Sequence, residues 1–346
     1  MTAQNTTSKA SELSWRKAVA PYETPSLRRS LIQVANSFIP YFALWCAMYY
    51  TLSVSYWITL ALAIPAAGFL IRIFIIFHDC GHMSFFKSRR ANRILGFFSS
   101  LLAFTPSYYW SLKHAKHHAT AGDLDNRGLG DVWTLTVQEY LALSRWERFK
   151  YRLYRNPFVL FGFGPAYSFF IHHRVWDPKD GTRARWSTIK TNLALVGIVI
   201  VMSLTIGIKA YLMIQLPVMM MAGTAGMWLF YVQHQFEGTY WERHEKWSYV
   251  QEALEGSSFY KLPRILQWFS GNIGFHHVHH LSPRIPNYYL QKCHEANELF
   301  KTVKHVTFWS SFKSLTFRLW DEERKKLVGF SYVRVFLNKQ AVLPPS

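Results

Sequence analysis

The chain has 346 residues, half of them hydrophobic and 17% aromatic, and its apolar residues gather in long runs, which excludes an ordinary pair of soluble domains. Its 39 Lys and Arg against 20 Asp and Glu leave a net charge of +19, a balance that suits a membrane surface and gives no reason to expect a nucleic-acid partner. Cys46, Cys80 and Cys293 are the only cysteines, too few for an iron–sulfur cluster or a disulfide framework.

Residues 1–30 are polar, with Glu12, Glu23 and several basic residues, so no cleavable signal peptide is expected and the first apolar run serves as the insertion signal. Residues 34–53 and 56–77 each approach the ~20 residues that cross a bilayer, and a tight turn joins them into a hairpin. Residues 191–208 and 211–233 form a second hairpin of the same kind. Between the hairpins, 92–106 and 156–172 are apolar but too short to span, and are predicted to be interfacial or re-entrant helices. Leu262, Ile265, Leu266 and Phe269 recur at i, i+3, i+4 and i+7, which predicts a further amphipathic helix. Residues 305–346 read as a polar tail, with the run from Asp321 to Lys326 a solvated face.

The predicted fold is therefore an all-α integral membrane protein: a cytoplasmic segment 1–30, a membrane domain 31–304 and a cytoplasmic tail 305–346. Two hairpins give four transmembrane helices, joined by interfacial helices and a helical cap. The hairpin tips carry only Lys209, whereas residues 78–190 carry Lys87, Arg89, Arg90, Arg93, Lys113 and many more basic residues. Because Lys and Arg stay on the cytoplasmic side, both termini are expected there, in a multi-pass protein of the cell membrane. Arg72, inside the second span, is expected to snorkel to its cytoplasmic end.

Three histidine clusters punctuate this layout: His78-Asp79-Cys80-Gly81-His82, His114-Ala115-Lys116-His117-His118 and His276-His277-Val278-His279-His280. With 15 histidines in the chain, a given H-x-x-H-H arises by chance roughly 0.03 times, so two copies beside an H-x-x-x-H are not coincidence. On a helix, residues three and four apart share a face, so His78 with His82, His114 with His117 and His118, and His276 with His279 and His280 can each aim imidazoles at one point. His277 points elsewhere on that helix. Imidazole suits a transition metal rather than calcium or magnesium, and eight ligands exceed what one ion accepts, which predicts two metal ions in the cap. His234, at the end of the fourth span, is a ninth candidate ligand. Asp79, Asp123, Asp125, Asp131, Glu237 and Asn272 are candidates to accept the second N–H of ligating imidazoles, Asn272 because it lies four residues before His276.

The pattern H-D-C-G-H, H-A-K-H-H, Gln233-His234 and H-H-V-H-H, with two spans between the second and third clusters, resembles the membrane fatty acid desaturase family over nearly the whole chain. Gly130-Asp131-Val132-Trp133, the stretch Glu255 to Pro263 and Gly271-Asn272-Ile273-Gly274 look most like the bacterial phospholipid delta-5 desaturases. The resemblance implies a di-iron centre that uses O2 and two external electrons to place a cis double bond in a phospholipid-bound acyl chain. It implies His78, His82, His114, His118 and His279 on one iron and His117, His234, His276 and His280 on the other. It also implies an electron donor of ferredoxin or flavodoxin type, which the basic cytoplasmic face would attract if the donor is acidic. Trp110, Tyr108, Tyr109 and Trp228 are nominated to line an acyl tunnel. A di-iron fatty acyl or lipid hydroxylase is the alternative, since the same centre could return oxygen to carbon. A haem carrier would need histidine pairs within facing spans, and a transporter ionisable residues near mid-bilayer; the sequence offers neither.

Overall fold

The helix boundaries differ from the ends of the apolar runs. In the computed structural model, which describes residues 15–335 apart from Leu129 and Arg334, α1 spans Leu27–Thr51 behind an N-cap Ser26 and α2 spans Tyr56–Gly81. Further along come α3 (Arg89–Leu102), α4 (Ser107–Thr120), α5 (Arg145–Tyr154), α6 (Gly164–Phe170), α7 (Gly181–Thr205) and α8 (Ile208–His234). The short helices α9 (Arg264–Phe269) and α10 (His276–Leu281) and then α11 (Asn287–Ala296) follow, and the brief helical segments Val137–Ala142 and Tyr249–Gln251 lie in the loops between. Four helices, α1, α2, α7 and α8, are long and apolar enough to cross a membrane. Each is longer than its predicted span: α1 and α7 start earlier but stop short of it, at Thr51 and Thr205, whereas α2 runs on to carry the first histidine cluster in its last turn and α8 ends on His234.

The membrane helices pack around Tyr41, Met48, Ala63, Ala66, Ala67, Leu70 and Ile73 against Ile214, Val218 and Met219. Small residues on α2 let α1 and α8 approach it closely, as between helices in lipid. The stretch 156–172 is not one regular helix: a wide helical turn at Val159–Phe163 leads into α6, whose start holds Pro165. Arg72 does not snorkel. It is buried, its guanidinium donating to the Trp268 carbonyl and lying 4.0 Å from the Trp268 ring centroid, so the charge is satisfied under α9 instead of in water.

The C-terminal part is not a free tail in its described portion; residues 336–346 lie outside the described residues, as do residues 1–14. Strand β1 (Leu135–Thr136) pairs in parallel with β4 (Leu319–Asp321), which pairs antiparallel with β5 (Lys326–Val328). Likewise β2 (Phe259–Lys261) pairs in parallel with β3 (His305–Thr307). The charge run is the turn of the β4–β5 hairpin, with Asp321 buried and accepting the backbone N–H groups of Glu323 and Arg324. Both faces of β4 are buried, and Leu319, Trp320, Leu327 and Val328 lie in the interior while Glu322 to Lys326 reach solvent, which a composition count reads as a solvated run.

Arg155 ties this lobe to the membrane helices. Its side chain is 1% exposed and donates to Thr134 Oγ1 (3.1 Å), Tyr231 Oη (3.3 Å), Gln235 Oε1 (3.0 Å) and the Phe317 carbonyl (3.0 Å). Truncating a buried cation leaves several acceptors unpaired, each worth about 1–3 kcal/mol. Arg155→Ala should therefore lower the thermal unfolding midpoint in detergent and open the segment 300–335 to limited proteolysis. Unchanged protection of that segment would show that Arg155 does not hold it.

Candidate metal centre

The four elements that carry histidines end at one level. His78 and His82 close α2, His114, His117 and His118 occupy the last two turns of α4, His234 ends α8, and His276, His279 and His280 fill α10. Two glycines shape the chain around the second and third clusters. Gly130, at φ +98°, lets the loop after α4 pass where a Cβ would lie 3.1 Å from that of His117, and so delivers Asp131. Gly271, at φ +56°, crosses α2 where a Cβ would meet Ile75 at 2.8 Å, and reverses the chain between α9 and α10.

Nine imidazoles converge in two groups. His78, His82, His114, His118 and His279 place one ring nitrogen each within 4.8 Å of one another, and so do His117, His234, His276 and His280. The groups adjoin: the rings of His118 and His280, one from each, have centroids 4.3 Å apart. His279 Nε2 lies 3.0 Å from His118 Nε2, and His276 Nε2 lies 3.0 Å from His234 Nε2.

Four rings are oriented from behind. His78 Nδ1 meets Asp79 Oδ1 at 3.0 Å, His117 Nδ1 meets Asp131 Oδ1 at 2.5 Å, His234 Nδ1 faces the Gly256 carbonyl at 3.3 Å, and His280 Nδ1 meets Glu252 Oε2 at 3.0 Å. An Nδ1–H donated outward leaves the Nε2 lone pair pointing inward. Asp79 also accepts the backbone N–H and side-chain amide of Asn287 through Oδ2 (2.7 and 2.8 Å), which locks α11 to the first cluster. Burial, with the neighbouring imidazoles second, holds His82, His114, His118, His276, His279 and His280 well below the ordinary histidine range. They are therefore neutral, the form that ligates metal. Burial likewise pushes the Glu252 carboxyl up, with the Ser257 hydroxyl, 3.1 Å away, opposing it.

The remaining candidates sit elsewhere. Asp123 and Asp125 meet His244 and Arg243 on a surface loop, and Glu237 pairs with Lys313. None of the three orients a converging imidazole. Asn272 is not on the helical face of His276, because α9 ends at Phe269 and Asn272 stands at φ +60° in the turn before α10, bonded to Gln267 and Asn287. His277 turns away from both groups, its Nε2 2.9 Å from His294 Nδ1 and its ring against Phe300. Glu252 and Gly256 were invisible in the sequence. Glu252 lies 28 residues before His280, inside a wide helical turn with no spacing to any cluster.

The donor set fits metal ions. Nine ring nitrogens converge, five in one group and four in the other, and His82 Nε2 and His280 Nε2 lack any hydrogen-bond partner. A cation in each group satisfies them; a carboxylate-loving ion would find too few oxygens.

A cavity of about 660 Å³ opens beside the histidines. His78, His114, His117 and His276 line one part, Leu70, Ile71, Phe74, Met219, Ala222 and Gly226 the deeper part, and Lys113, His172 and Trp176 the rim. Tyr109 and Trp110 line it, Tyr108 is exposed outside it, and Trp228 lines a neighbouring apolar groove that shares Ile71 and Leu229.

Membrane-length helices, clustered imidazoles and an apolar cavity meeting them are the makings of a membrane enzyme with a metal site. The family model described as fatty acid desaturase matches residues 53–311, and the chain belongs to that family: it is a fatty acid desaturase enzyme, an oxidoreductase. It is 51% identical over 334 residues, 96% of this chain and 94% of the relative, to the fatty acid desaturase of Bacillus subtilis (strain 168). More distant relatives include the endoplasmic-reticulum omega-3 fatty acid desaturase of Vigna radiata var. radiata, 28% identical over 73% of this chain and 67% of the relative. The sn-1 acyl-lipid omega-3 desaturase (ferredoxin) of Nostoc sp. (strain 36) is 25% identical over 72% of this chain and 69% of the relative.

The two groups predict metal content directly. Loaded protein should hold two transition-metal ions per chain by elemental analysis; His279→Ala should lower this towards one, and His277→Ala should leave two while reducing thermal stability. Equal loss in both variants would contradict the assignment of His277 outside the groups.

Proposed function

We propose that the chain is an acyl-lipid desaturase that introduces a cis double bond at the delta-5 position of a phospholipid-bound saturated chain, with two irons held by the nine histidines. Iron so held supplies oxidation of the substrate: O2, two electrons and two protons take one hydrogen from each of two adjacent methylenes, leaving the alkene and two waters. The protein's own residues do the rest. Asp79, Asp131, Glu252 and the Gly256 carbonyl fix the rings through Nδ1 and keep their Nε2 atoms inward. Phe74 and Trp110, packed edge to face at 5.3 Å beside His114, keep the reacting end of the cavity apolar and exclude water.

The observation that carries this reading is the cavity. Along α8 its lining runs from Met219 to Gln233, ~21 Å at the helical rise, which suits an acyl chain entering tail first. Its polar rim at Lys113 adjoins His114 and His117, so carbons near the chain's carboxyl end lie at the histidines, which favours a position counted from that end. The enzyme resides in the cell membrane with its termini and histidines on the cytoplasmic side, in keeping with the basic residues between its hairpins. Electrons come from an acidic ferredoxin or flavodoxin drawn to that basic face; the Nostoc relative's name carries the ferredoxin link.

Lipid analysis after expression in a host lacking unsaturated lipids should give chains two mass units lighter with the double bond at carbon 5. Hydroxylated chains would overturn the reading in favour of the hydroxylase alternative, and a double bond counted from the methyl end would overturn the delta-5 assignment. Gly226 tests the cavity itself, because a Cβ there meets no atom within 4 Å. Gly226→Leu should fill the cavity and cut turnover of long chains about tenfold or more while metal content and folding stay unchanged. Unaltered turnover would mean the chain lies elsewhere.

A further inference from the structure

The rim of the cavity carries charge that the chemistry at the histidines does not need. Lys113 lines it together with His172, Val175, Trp176 and Asp177. Around this mouth Arg183 lies 4.5 Å from the Tyr108 ring centroid and Arg185 5.6 Å from that of Trp176. Both arginines are exposed at the start of α7. Asp180 gathers two of the cations: its carboxylate, 2% exposed, stands 2.5 Å from Lys113 Nζ and 2.7 Å from Lys116 Nζ.

That arrangement leaves positive charge to spare. The stretch 177–185 and the adjoining turn of α4 hold Lys113, Lys116, Lys179, Arg183 and Arg185 beside Asp177 and Asp180, and of these cations Lys113 and Lys116 pair with Asp180. Asp177 is itself engaged, its Oδ1 accepting the Lys179 backbone N–H at 2.9 Å. Each ammonium held by Asp180 keeps further N–H donors, and Asp180 fixes Lys113 at the edge of the cavity, with Lys116 about one turn further along α4. Fixed cations and aromatic rings at the mouth of an apolar cavity are what the phosphate of an amphiphile requires: its charge meets donors while its chain lies in the cavity.

We propose that this rim is a phosphate subsite that binds the phosphodiester of a glycerophospholipid whose acyl chain occupies the cavity. It rests on the reading of the cavity as the acyl site. The subsite anchors the head group beside α4, and so fixes how far the chain reaches past His114 and His117 before it meets Leu70 and Met219 at the deep end.

Full-length protein in nanodiscs tests it, with retained lipid measured by native mass spectrometry and turnover measured alongside. Wild type should retain phosphatidylglycerol more tightly than a diacylglycerol of the same chains. Lys113→Ala and Arg183→Ala should each weaken phosphatidylglycerol about fivefold, the loss expected for one basic residue at a lipid surface, raise its KM, and leave diacylglycerol unchanged. Lys113→Arg should restore retention. Inorganic phosphate at millimolar concentration should compete weakly with phosphatidylglycerol and not at all with diacylglycerol. Equal losses for both lipids would make the rim structural and overturn the subsite, as would preferential retention of an acyl-coenzyme A thioester over the phospholipid. Double bonds formed without any head-group preference would sink the subsite alone; no desaturated product from any lipid would instead sink the acyl-site reading.

Discussion

Everything in this molecule answers to the cost of burying unpaired imidazole nitrogens. Nine histidines are drawn out of water at the ends of α2, α4, α8 and α10, where a lone pair without a partner costs about 1–3 kcal/mol. A soluble core would not collect such residues, and a membrane interior would punish them more. The fold places them at the boundary where helices leave the apolar region, and holds four of them, His78, His117, His234 and His280, from behind with carboxylates and a carbonyl. The membrane helices therefore serve as posts: their apolar packing sets the depth at which the histidines meet.

The cap follows from the same demand. Glu252 reaches His280 from a wide helical turn, Asp79 bridges His78 to Asn287, and Arg155 joins Thr134, Tyr231, Gln235 and Phe317 behind His117 and His234. A buried guanidinium satisfied by neutral acceptors keeps the lobe formed by β1, β4 and β5 fixed against α8, next to the residue that ends in His234. The apolar cavity then needs only to pass these posts on one side, with Lys113 at its rim and small residues such as Ala222 and Gly226 on α8 keeping it open.

Much of this was legible in the sequence because it rests on local periodicity. The three clusters at i, i+3 and i+4 spacing, the apolar runs and the family motifs needed no tertiary information, and His277 could be separated from His276, His279 and His280 by helical angle alone. What stayed hidden was long-range. Glu252 has no spacing to the ring it orients, Asn272 shares a face with His276 only if the helix is continuous, and Gly271 breaks it. Arg72 looked like a snorkelling residue because its partner, the Trp268 carbonyl, lies far along the chain. The C-terminal segment read as a tail because two three-residue strands carry almost no periodic signal, yet Trp320 and Leu327 bury it.

X-ray absorption at the iron edge of the loaded protein tests the central claim most directly. The account predicts a shell of imidazole nitrogens near ~2.0–2.2 Å with the outer-ring scattering of several histidines per iron and no sulfur. A sulfur shell near ~2.3 Å, or a shell dominated by carboxylate oxygens with few imidazoles, would contradict it.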